Sequence, residues 1–129
     1  MLDNVDATLE SAIASHEAGD LIIAGEKYIE ILKVEPNHPD ANHNFGLLTV
    51  KLGEPGLGVQ FLKNAIESNP TVKEFWISII STLIDIEDIE NASSTLKQAR
   101  EVGHIDDVFD KLASNLKLLK AEKKKKEER

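Results

Sequence analysis

His38, Asp40 and His43 have the residue types of a metal site, two ring nitrogens and a carboxylate. On a helix, positions 40 and 43 share a face, while His38 falls at the cap. Zinc takes four ligands as a rule, and this set is short of that with no cysteine to complete it. The expected reading is a group of solvated turn residues. Nucleophilic catalysis finds no constellation either: there is no thiol, and no serine stands in a strained turn beside a histidine. Gly53, Gly56 and Gly58 cluster as glycines do in phosphate loops, yet no strand precedes them and no Gly-Lys-Ser/Thr follows. Close packing between helices is the expected use of Gly58. These residues therefore predict no catalysis, no metal and no cofactor.

Charge narrows the partners. Residues 117–129 hold seven Lys/Arg and three Glu, a net of +4, against eight and twenty, a net of −12, in the other 116 residues. An acidic body repels phosphate backbones, so nucleic acid is not an expected partner. The Lys123–Lys126 run offers a contact to an anionic surface, or is simply a solvated helix end flanked by Glu122, Glu127 and Glu128. No apolar run is long enough for a membrane span, and the acidic start MLDNVDATLE lacks the order of a signal peptide, so the expected compartment is the cytoplasm.

The elements that position these residues recur. Gly19, Gly53 and Glu87 are spaced by 34, as are Ala24, Gly58 and Ala92, and Tyr28, Leu62 and Leu96; Pro36 and Pro70 mark the same interval. Such a period predicts a stacked repeat. Helical spacing and breakers predict helices over 3–18, 21–34, 39–52, 55–68, 72–85, 88–102 and 106–121. Asp3 or Asn4, Asp20, Asp88 or Glu87, and Asp106 are candidate caps. Pro39 and Pro55 suit first turns, and Thr71 to Glu74 reads as a capping box. The aromatic content of 5% predicts an aliphatic core, with Phe75 and Trp76 within it. The apolar stripe Val108, Phe109, Leu112, Leu116 and Leu119 predicts a helix that covers the open end of the stack. Residues 122–129 are expected to be a disordered charged tail.

The repeating positions resemble tetratricopeptide repeats. The first unit supplies Ala12, Gly19, Ala24, Tyr28, Ile31 and Pro36, and the second Gly46, Gly53, Gly58, Leu62, Ala65 and Pro70. The third has Trp76, Ile80, Ala92, Leu96 and Ala99. Departures are Thr8 and Asn42 for a bulky residue, Ile80 for a small one and Glu87 for glycine. The resemblance implies an all-α fold, a right-handed α-solenoid of three helix-turn-helix units (about 5–38, 39–72 and 73–104) with a capping helix at 106–121. One domain then spans 1–121. The stretch from Ala-Gly-Asp at 18–20 to Phe-Gly-Leu-Leu at 45–48 is similar to the leading repeats of bacterial proteins with glycosyltransferase, sulfotransferase or methyltransferase domains. That likeness implies, as an alternative, a substrate-recruiting or oligomerising module.

For the family, the first helix of each pair lines a concave groove. Carried onto this sequence, the groove holds Asp6, Leu9, Glu10, Ile13, His16 and Glu17. It continues with Asp40, His43, Asn44, Leu47, Val50 and Lys51, then Glu74, Ile77, Ser78, Ser81, Ile84 and Asp85. The resemblance implies a non-catalytic scaffold or adaptor that binds a protein or peptide segment there, with apolar anchors and basic flanks. Asp6, Asp40 and Glu74 serve either that partner or the helix macrodipole. The family's two-carboxylate clamp is not expected, because only Asn44 stands at a matching position. Self-association through the Leu-rich last helix is a further expectation.

Overall fold

The structure, a computed structural model, describes residues 4–128. Seven helices follow one another: α1 (Val5–Glu17), α2 (Leu21–Val34), α3 (Pro39–Lys51), α4 (Pro55–Ser68), α5 (Lys73–Asp85), α6 (Ile89–Val102) and α7 (Asp107–Glu127). Among the described residues there is no strand.

One backbone device produces the regular turns. After α1, Gly19 takes φ +87° and the Asp20 N–H donates to Ser15 O at 2.9 Å. After α3, Gly53 takes φ +91° and Glu54 N–H donates to Thr49 O at 3.0 Å. After α5, Asp88 N–H donates to Leu83 O at 2.8 Å, and the left-handed residue is Glu87, at φ +60°. The C-terminal carbonyls are thereby satisfied without a further helical turn. A side chain in this conformation costs about 1 kcal/mol that glycine does not. Glu87→Gly is expected to raise stability by about 0.5–1 kcal/mol, read as a higher urea midpoint at unchanged slope.

Helix starts follow local chemistry. Asn4 caps α1, its Oδ1 accepting from Ala7 N–H at 3.0 Å; Asp3, the other candidate, lies outside the described residues. Pro39 and Pro55 open α3 and α4 in the first turn, where a missing N–H is harmless. Asp88 caps α6 through Asn91 N–H at 3.3 Å. Asp20 stands at the N-cap of α2 without a side-chain cap bond. The N-cap of α5 is Val72, one residue beyond Thr71. One expectation is corrected. Asp106 precedes α7, but its carboxylate takes the Lys73 ammonium at 2.7 Å instead of capping. That hydrogen-bonded ammonium holds the Asp106 carboxyl below its usual value.

The chain divides into two compact units, one ending at Asn69 and one beginning at Pro70. In the first, Ala12, Ala24, Tyr28 and Leu48 form a buried cluster, with Leu9, Ile13, Leu21 and Phe45 packed on it. Helices α3 and α4 meet through Gly46 and Gly58: a Cβ on Gly58 would stand 2.8 Å from Gly46 O, and one on Gly46 3.0 Å from Gly58 O. Asn42, where the pattern favours bulk, is buried, and its amide donates to Pro36 O at 3.0 Å and His38 O at 2.9 Å.

In the second unit, Phe75, Trp76, Ile79, Ile80 and Leu83 of α5 are buried, as are Leu96 of α6 and Phe109, Leu112 and Leu116 of α7. The core is therefore aliphatic with aromatic inserts. Trp76 Nε1–H donates to Pro70 O at 2.8 Å, the counterpart, 34 residues on, of the bond from Asn42 to Pro36 O. His104 Nε2 lies 2.9 Å from the same carbonyl, which can only accept, so that nitrogen carries the proton. The His104 ring stacks on Phe109 with centroids 5.6 Å apart. Helix α7 packs on both α5 and α6. Its apolar stripe ends at Leu119, which predicts a helix end near 121, yet α7 runs to Glu127. Lysine and glutamate are good helix formers, Glu122 and Lys126 stand at the favourable i,i+4 spacing, and lysines suit a C-terminal turn.

Candidate functional site

In the first unit, α1 and α3 lie in contact and bring two sets of side chains together. Leu9, Ile13, Leu47 and Val50 are half-buried, as are His16, His43 and Asn44, while Asp6, Glu10, Glu17, Asp40 and Lys51 are exposed. In the second unit, α5 carries Ile77, Ser78, Ser81 and Ile84 half-buried, with Glu74 and Asp85 exposed. Leu9 and Ile13 divide their surface between solvent and the core, since they also pack on the buried cluster of Ala12, Ala24, Tyr28 and Leu48.

Asp6, Asp40 and Glu74 all fall in the first turn of their helices, where a carboxylate meets the unpaired N–H groups. They remain exposed there, so the same charge faces outward. Asn44 does not reach away from its helix: its amide donates to Asp40 O at 2.9 Å. His38 Nδ1 accepts from Ala41 N–H at 3.1 Å and caps α3, which occupies that nitrogen. Among the described residues no three His, Cys, Asp or Glu are grouped to hold a metal ion. No described helix is long and apolar enough to cross a membrane.

Below this face sits a residue that spacing alone assigned to packing. Tyr28 of α2 is fully buried, and its hydroxyl lies 3.0 Å from His16 Nδ1. The two rings meet edge-on, with centroids 5.9 Å apart, and Tyr28 continues to Phe45 at 6.2 Å. Burial, with Glu17 adding to it, pushes the Tyr28 phenol up to about 12. Burial and then the Lys51 ammonium pull the His16 imidazole below its ordinary value. A neutral imidazole accepting the Tyr28 O–H satisfies both. His16 therefore anchors the floor of the face as well as lining it.

This coupling has a sign. A base whose folded pKa is depressed binds fewer protons folded than unfolded, so stability is full above the unfolded value of about 6.5. It falls as pH drops from there through the lowered folded value. His16→Gln is expected to flatten that slope below about pH 6.5, as read from urea midpoints across the range.

No protein-family model matches the sequence, and no curated protein matches it. Solved structures do. The first TPR domain of human RPAP3 superposes with TM-score 0.80 at 12% identity, over 94% of this chain and 95% of that one. The type III secretion chaperone SycD of Yersinia enterocolitica, in complex with a peptide of the translocator YopD, gives 0.79 at 15% identity, over 95% and 97%. The TPR2B domain of yeast Sti1, in a pHsp70 complex, gives 0.77 at 19% identity, over 88% and 96%.

Proposed function

The chain has the fold of tetratricopeptide-repeat domains, and from that premise we propose that it is a non-catalytic, cytoplasmic adaptor that holds a protein segment on its first-in-pair helices. The observation that carries this reading is the face of α1 and α3. Leu9, Ile13, Leu47 and Val50 offer a partly open aliphatic strip, and Asp6, Glu10, Glu17 and Asp40 edge it with negative charge. An extended or helical segment with apolar anchors and Lys or Arg flanks complements both features. Helix α5 offers the same elements in the second unit, Ile77 and Ile84 beside Glu74 and Ser81. The YopD peptide complex of SycD and the pHsp70 complex of the Sti1 domain support the class of ligand.

A peptide library panned on the protein tests the proposal. Recovered ligands are expected to carry spaced aliphatics with basic flanks and to be lost with Leu47→Glu. Asp40→Lys, at an exposed position, is expected to weaken the basic ligands by about tenfold without altering the fold. A library that returns ligands held equally by wild type, Leu47→Glu and Asp40→Lys would sink the reading.

A further inference from the structure

Helices α6 and α7 leave a groove between them of about 650 Å³. Its floor is apolar, made by Leu96, Ala113 and Leu116. Its sides are basic: Lys97 and Arg100 come from α6, Lys117 and Lys120 from α7, and the only acid lining it is Glu101. This is an inversion of the chain's character, since the whole protein carries a net charge of −8. Arg100 is steadied at the groove by Asp110, whose Oδ1 lies 3.2 Å from Nη2. The basic stripe extends along α7 beyond Lys120 through Lys123 and Lys124.

The repeat register says what shape belongs there. Ala113, Leu116 and Lys117 stand 34 residues after Ile79, Thr82 and Leu83 of α5. Those three are buried, on a helix that packs against α6, the second helix of its pair. On α7 the equivalent face has no second helix over it among the described residues, and the position of buried Leu83 is taken by exposed Lys117. The slot is therefore helix-shaped, but its chemistry has changed from apolar to basic.

We propose that the α6–α7 groove binds an acidic amphipathic helix of a partner protein. Its apolar stripe lies on Leu96, Ala113 and Leu116, and its carboxylates meet Lys97, Arg100, Lys117 and Lys120. The lining from Ser93 to Glu101 on α6 is about 12 Å long at 1.5 Å per residue, so two to three turns of the ligand are engaged. The surface is separate from the face proposed above, and the ligand charge is opposite.

The test uses the intact chain and a labelled 14-residue amphipathic peptide with a leucine stripe flanked by glutamates, beside the same peptide with lysines for glutamates. Fluorescence anisotropy is expected to show saturable binding of the glutamate peptide only, weakening as salt is raised. The double variant Lys117→Glu, Lys120→Glu, with circular dichroism to verify its fold, is expected to weaken binding by at least about tenfold, and Leu47→Glu to leave it unchanged. Amide shifts are expected at Ser93, Arg100, Ala113 and Lys117. The proposal is overturned by absence of saturable binding, by equal binding of both peptides, or by loss with Leu47→Glu. Sedimentation that finds this face buried in a dimer of the chain, relieved by the lysine variants, overturns it equally.

Discussion

Gly58→Ala is expected to destabilise the protein by about 3 kcal/mol, the upper part of the range for forcing a methyl group into a packed site. The new Cβ would collide with Val50 Cγ2 and stand 2.8 Å from Gly46 O and 3.2 Å from Val50 N. Backbone atoms of α3 are two of these three neighbours, so no rotamer change in one side chain relieves the overlap. Gly56→Ala is the control: a Cβ there meets nothing within 4 Å, and helix propensity favours alanine by up to about 1 kcal/mol. Urea midpoints of the two variants should move in opposite directions. The two glycines stand two positions apart in one helix, so their difference isolates contact from propensity.

Phe109→Ala is the second large effect, expected to cost about 3–5 kcal/mol. The ring is fully buried and stacked on His104, which in turn holds Pro70 O. Losing it removes the apolar anchor at the start of α7 and leaves a cavity beside Trp76 and His104, whose rings lie 6.0 Å apart. Hydrogen exchange is expected to show α7 losing protection first, while α3 and α4 keep theirs. His104→Ala should produce the same pattern with a smaller loss, since it removes one hydrogen bond and one stacking partner. Uniform deprotection of every helix in Phe109→Ala would contradict this division.

Both variants act on features of different legibility. The turns were readable because their cause is local: a residue in the left-handed region every 34 positions, with prolines at helix starts. Even Glu87 obeys the interval, although its side chain opposes the conformation. Gly58 was readable as a packing glycine from the absence of any phosphate-loop context. Asn42 was not readable as a core residue, because an amide is buried only where carbonyls happen to meet it, and Pro36 O and His38 O become neighbours only after folding. His104 stands 34 residues after Pro70, where the interval would put a further proline. In the fold its ring lies against Pro70 O and stacks on Phe109 of α7.

The candidate face shows the same split. Which residues of α1 and α3 form the candidate face is what the resemblance to tetratricopeptide repeats implies. How much of each aliphatic residue is open depends on the tertiary packing beneath it, as Leu9 and Ile13 show where they meet the cluster of Ala12, Ala24, Tyr28 and Leu48. The α6–α7 groove lay further from view. Its lysines read along the chain as ordinary helix surface and as part of a basic tail, and only the juxtaposition of two helices makes them a rim.

Binding of a partner segment on the α1–α3 face is measured by titrating a library-selected, basic-flanked peptide into the isotope-labelled chain and following backbone amides. The predicted result is a saturable shift of Leu9, Ile13, Leu47 and Val50, lost in Leu47→Glu and weakened by about tenfold in Asp40→Lys. Shifts confined to α2, α4 or α6, with both variants binding as wild type, would contradict it.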